Sequence, residues 1–410
     1  MTRLLILLTA LLLLSACAMK GEVANGVKPM MAGSELDGSE LLDVAISVFD
    51  SVPLTTKDIQ ELGLSQEIRD AEERFVPVHL KYTMQRSGYW GAVRVVPGAS
   101  SAHLQVHGTI LRSDGEALSL KIVAQDARGV SWFEKTYSEV LEPTEYRDLV
   151  PEKKDPFQDL YTSIANDLAV QRQNLSADDL REIQQISELR FAQNMAPEVF
   201  SSHLSQDQEG RYVLQRLAAE DDPMLGRVHA VQIRDEMLLD TINDYYEIYY
   251  LDLWKPYGEW RQLYGEEAAQ LKELERQALT RKLLGVAAIV GGVMISTNNN
   301  SLGNSNLPGV MIAGGAAAIY SGFQKSEETK IHKATIEELS MSFSSEATPL
   351  MVEVVGETVR LTGSAEEQYA KWRGMLSDIY AAETGLPALS DNRQTPAETE
   401  PAEKESSLNQ

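Results

Sequence analysis

His103 and His107, four residues apart, are the first pair whose type and spacing invite a metal ion. On a helix that spacing would place both imidazoles on one face. Here they alternate with Leu104, Val106, Gly108 and Ile110, a strand pattern in which four residues span about 13 Å. One ion cannot take both, so the favoured reading is two histidines on the polar face of a sheet. The run Tyr245, Tyr249, Trp254, Tyr257 and Trp260 is denser in aromatics than any other stretch. Flat rings match the apolar faces of sugars and peptides, so the run is either a ligand or partner face or, as helical spacing more often gives, a core with hydroxyls at its rim. Nucleophile, metal and phosphate signatures such as G-x-S-x-G, H-E-x-x-H and the Walker loop are absent from the sequence. No catalytic residue, metal or cofactor is therefore expected, and the chain reads as non-enzymatic.

Cys17 carries chemistry of another kind. Arg3 is followed by an apolar run from Leu4 to Leu14, long enough for a signal peptide and too short for a stable span. The run ends in Leu14-Ser15-Ala16-Cys17, which resembles the lipobox of bacterial lipoprotein signals. That resemblance implies a signal peptide over residues 1–16, an acylated Cys17, and a lipid bilayer as the partner of its acyl chains. Ala18, rather than Asp, follows the cysteine, which by the same resemblance implies the outer membrane, with the bulk of the chain in the periplasm. No second cysteine exists, so no intramolecular disulfide can form. A net charge of −24 repels nucleic acid and anionic lipid, and nucleic acid is not an expected partner.

These residues need elements to position them, and the fold class expected is α+β and multidomain. Residues 17–40, rich in Gly, Ser and Met, read as a flexible tether. Residues 41–142 read as an α/β domain: a strand over Asp43–Asp50, a helix over Gln66–Gln85 kinked at Pro77, then a meander of four strands. Asp114-Gly115 and Asp126-Ala127-Arg128-Gly129 mark its turns. The opening strand ends in Phe49, and a hairpin carries Val106-x-Gly108-x-Ile110, Asp114-Gly115, Leu118-x-Leu120 and Asp126. With these features the block is similar to the amino-terminal domain of the TolB translocation proteins and to the core of the CsgG curli-secretion lipoproteins. The resemblance implies a domain that binds and assembles partners.

Residues 157–282 read as a helical bundle, with Ser176 and Asp179 as a capping box, Asp222-Pro223 as a helix start, and a restart at Pro256. Residues 283–324 contain no Asp, Glu, Lys, Arg or His and form two apolar arms. Gly285, Gly291, Gly292, Gly309, Gly314 and Gly315 would let the arms pack closely, similar to glycine-zipper hairpins. Such a hairpin either contacts the membrane or is buried, in the protein's own core or between copies in a homo-oligomer. Residues 326–385 read as an α-β-β-α unit resembling the repeat of BON domains, and 387–410 as a disordered tail. The combination points to an outer-membrane-anchored scaffold or assembly factor that docks an envelope protein. A peptidoglycan-binding lipoprotein using the aromatic helices is the alternative, and an envelope hydrolase with an unrecognised site the third.

Overall fold

Apolar strands on either side of one helix set the centre of the sheet. In the computed structural model, β2 (Leu42–Ser47) leads through β3 (Asp50–Ser51) and α1 (Thr56–Glu61) into α2 (Gln66–Gln85), and α2 returns the chain as β4 (Trp90–Val96). β4 lies parallel to β2, as a strand–helix–strand crossover requires. This corrects the meander of four: only β5 (Leu104–Ser113), β6 (Ala117–Asp126) and β7 (Ser131–Val140) are consecutive antiparallel neighbours. β2 and β3 pair in turn with the first and second halves of β5. The order is β1-β7-β6-β5-β2-β4, with β1 (Met19–Glu22) on the outer edge of β7. The described residues are 19–23, 25–61, 64–98, 101–141, 154–219, 221–295, 334, 338, 350–354 and 357–384. The signal segment, Cys17, Gly309, Gly314, Gly315 and the tail lie outside them, as does most of the helix expected to open the 326–385 unit.

Alternation along β5 and β6 separates two faces. Leu104, Val106, Ile110, Leu120, Ile122 and Ala124 are buried, while His107, Leu111 and Gln125 are exposed. Helices cover the buried face: α2, α3 (Gln158–Gln173), α4 (Ala177–Met195), α6 (Pro223–Ile295) and α7 (Ala365–Thr384), with the short α5 (Pro197–Phe200) between α4 and the hairpin β8–β9 (Leu204–Gln206, Tyr212–Leu214). The architecture is α+β, and one continuous buried cluster runs from the sheet through all of the long helices. A second hairpin, β10–β11 (Leu350–Val354, Glu357–Leu361), precedes α7, whose stripe Ala365, Tyr369, Trp372, Leu376 and Ile379 is buried.

Residues 19–40 do not behave as the free tether their composition implies. β1 runs parallel to β7 with Met19 opposite Lys135 and Glu22 opposite Ser138. The strap then follows α3, where Gly26 N–H donates to Asp159 Oδ2 (2.6 Å), Met30 N–H to Asn166 Oδ1 (2.8 Å), and Asn166 Nδ2 to Lys28 carbonyl oxygen (2.9 Å). Val23, Met30, Ala32 and Leu36 pack against the core. Partners on distant elements, rather than local periodicity, order this segment.

Neither proline ends its helix. α6 passes through Pro256 without the expected restart and runs 73 residues, roughly 110 Å of helix. α2 likewise continues through Pro77. An interior proline removes a hydrogen bond and clashes with the preceding turn, at about 3 kcal/mol. Buried Leu253, Tyr257 and Trp260 beside Pro256, and Val76, Val78 and Leu80 beside Pro77, supply the packing that offsets it. Gly285, Gly291 and Gly292 lie on the last turns of α6. Among the described residues no helix is long and apolar enough to cross a membrane.

Candidate functional site

The two histidines are placed apart and satisfied separately. His107 Nε2 meets Asp50 Oδ2 at 2.9 Å on the exposed face of the sheet. His103 Nδ1 accepts the Asp43 backbone N–H at 2.9 Å, which leaves its hydrogen on Nε2. Among the described residues no cluster of three or more His, Cys, Asp or Glu is placed to hold a metal ion.

His103 lines a cleft between the strand ends and α6, together with Asp43, Arg94, Gln232, Asp235 and Glu236. Each polar group there is already engaged by an element that forms the wall. Asp43 Oδ1 accepts Ala92 N–H (2.7 Å), and Arg94 forks onto Asp240 (2.5 and 3.2 Å). Asp235 accepts Trp372 Nε1 (3.1 Å) and Arg373 Nη1 (3.2 Å) from α7. Burial raises the Asp235 pKa, against the opposing pull of Arg373 and Trp372. The cavity is about 40 Å³, room for about three water molecules and none for an organic substrate. It can hold water and exchange protons.

The aromatic run forms a core. Tyr249, Tyr257 and Trp260 are buried, whereas Tyr245 and Trp254 are half-buried. Phe75 of α2 stacks on Tyr250 (4.6 Å between centroids) and meets the edge of Tyr257 (4.8 Å), and His79 stacks with Trp254 (5.8 Å). Two of the five rings expected as a ligand face, Trp254 and Tyr257, thus join α6 to α2, and Tyr249 and Trp260 are buried as well.

Beneath those rings lies a set of buried charges. Glu72 Oε1 accepts from Ser113 Oγ and Tyr257 OH, both at 2.6 Å, and Arg69 Nε approaches Glu72 Oε2 at 3.3 Å. Burial raises the Glu72 pKa; Arg69 and the two hydroxyls oppose it. Asp155 accepts Arg261 Nη2 at 2.6 Å, and Arg261 lies 4.3 Å from the centroid of the Tyr257 ring. Burial works against the Asp155 charge, but Arg261 holds its pKa below the usual range. Buried Lys81 pairs with Glu247 and donates to Asn243 Oδ1 (3.1 Å), which also accepts Val95 N–H (3.0 Å). Apart from Arg69 and Glu72, which share α2, the partners lie on different parts of the chain, so no local pattern announces them.

A pH dependence follows from buried His79 and half-buried His103. His79 Nε2 faces Gln158 Oε1 (3.1 Å), which only accepts, so Nε2 carries a hydrogen, and Nδ1 lies 2.8 Å from Tyr250 OH. Burial holds the His79 and His103 pKa values below 6.5, with Asp155 opposing it at His79 and Asp43 at His103. The unfolded chain therefore binds more protons than the folded one once pH falls below about 6.5, and stability is lost in that direction. Nitrogen NMR at about pH 6.5 is expected to find both rings more neutral than charged, with a melting midpoint that drops as the pH falls below about 6.5. A charged ring at either position under those conditions would contradict this.

Comparison with protein-family models, with curated proteins and with solved structures finds no match.

Proposed function

We propose that the chain is a lipid-anchored, non-enzymatic scaffold of the outer envelope, held by acylated Cys17 and docking a protein partner on its periplasmic body. The observation that carries this reading is a set of exposed apolar residues on one face of α6, two on either side of Asp244. Ile233, Met237, Ile248 and Leu251 are 59%, 65%, 57% and 63% exposed. At 3.6 residues per turn they fall within an arc of about 60° and along about 27 Å of helix. Scattered apolar residues are ordinary on a surface, but an aligned row on one helix is the pattern that a partner covers. The burial of Tyr249, Tyr257 and Trp260 disfavours wall binding through that face.

A photo-crosslinker placed at Met237 in the lipidated, full-length protein checks the docking role in its native envelope. A discrete protein adduct is expected, lost when Ile248→Lys is added. Metabolic fatty-acid label on the wild type but not on Cys17→Ser checks the anchor. Sedimentation with peptidoglycan without any adduct would support the wall-binding alternative instead.

A further inference from the structure

Covering the exposed apolar row on α6 also covers a charge, because Asp244 stands within it. Resting on the docking role proposed above, we infer that the partner presents a cationic amphipathic helix to this face, with a Lys or Arg that pairs with Asp244 between apolar side chains.

Met237, Asp244 and Leu251 follow one another at seven residues, about 10 Å along the axis, the interval at which one helix repeatedly meets another. Ile233 lies one turn before Met237, and Ile248 one turn after Asp244, so the carboxylate has an apolar pair on each side. All five side chains are exposed. A helix laid along this face has to accommodate an acid at the centre of its contact.

What answers that charge decides the partner. The neighbouring acids are already served by the body of the protein. Asp240 takes the fork of Arg94, and Glu247 pairs with Lys81 and accepts from Tyr82 OH (3.0 Å). Asp244 makes no hydrogen bond or ion pair among the described residues. The exposed cations of α6 that flank the row, Arg234 and Lys255, lie ten and eleven residues away, at least about 15 Å and out of reach. A cover without a cation would desolvate Asp244 with nothing to pair it, a cost that offsets the apolar gain. That excludes a plain hydrocarbon surface. A second copy fares no better. A parallel pair sets Asp244 against its own copy, and an antiparallel pair that matches Ile233 and Met237 with Leu251 and Ile248 brings it against Asp240 of the other copy. Like charges so placed repel. A Lys or Arg of a different protein, held between apolar residues at the matching spacing, satisfies both parts of the face.

The test uses the full chain with Cys17→Ser and an ordinary cleavable signal in place of residues 1–16, so that no detergent is needed. The probes are two fluorescent amphipathic peptides of about 20 residues, alike in their row of Leu and differing in a Lys or a Glu at its centre. By fluorescence anisotropy the Lys peptide is expected to bind about tenfold more tightly than the Glu peptide, and Asp244→Lys to reverse that order. The side chain is exposed, so the substitution should leave the circular dichroism spectrum and melting midpoint unchanged. Equal affinities, an order that Asp244→Lys does not reverse, or no binding of either peptide overturns the cationic helix. So does a photo-adduct at Met237 that joins two copies of this chain. A Met237 adduct to another protein in the native envelope, alongside any of the first three results, leaves the docking role standing and removes only its cationic partner. Loss of that adduct as well removes both readings.

Discussion

Arg261→Ala is expected to destabilise the protein by about 3–5 kcal/mol, because it strands the Asp155 carboxylate in the core without its counter-charge. The two side chains are 3% and 0% exposed and 2.6 Å apart. Asp155 also accepts the Phe157 N–H (2.9 Å) at the entry to α3, and Arg261 sits over the Tyr257 ring. Losing the cation thus loosens the start of one helix and the aromatic junction between two others. Against a typical total of about 5–15 kcal/mol this is a large fraction. Denaturant titration should show a lower midpoint with a similar slope. The double variant Asp155→Leu with Arg261→Met removes both charges and should recover much of the loss. If it is as unstable as Arg261→Ala, the stranded charge is not the cause.

Gly108→Ala is the second substitution with a large expected effect. A Cβ on Gly108 would sit 2.4 Å from the Phe49 ring, which is itself buried at the break between β2 and β3. The ring has no room to withdraw, because Phe49 N–H is bonded to Glu73 carbonyl oxygen (2.9 Å) on α2. Overpacking of this kind costs about 1–3 kcal/mol, and the upper end is expected here. Phe49→Leu in the same chain should reduce the combined loss below the sum of the single losses. Strict additivity would show that the two residues do not compete for the same space.

This contact gives physical content to one part of the sequence pattern. Phe49 at the end of the opening strand and Gly108 in Val106-x-Gly108-x-Ile110 are two halves of one packing arrangement, a bulky ring and the gap that receives it. The alternation of β5 and β6, the Asp114-Gly115 turn with Gly115 at φ +72°, and the capping box of Ser176 and Asp179 were legible for a similar reason: each is decided within a few residues. What was not legible depends on distant partners. An apolar run such as Trp90–Val96 does not say whether its neighbour is β5 or β2, and the crossover through α2 decides it. Glu72, Asp155 and Arg261 look like solvated charges until the fold brings Ser113 and Tyr257 to the first and pairs the other two. Of the residues lining the cleft, only His103 stood out, and it did so for its spacing with His107, which the fold leaves unused.

The strap has a consequence in time. β1 lengthens a sheet edge made by β7, so the chain must synthesise and fold the whole sheet before its own first strand has a place to go. Pairings between segments so far apart along the chain form slowly, since a long loop has to close first. β1 is therefore expected among the last elements to dock. Until then the outer edge of β7 stays unpaired.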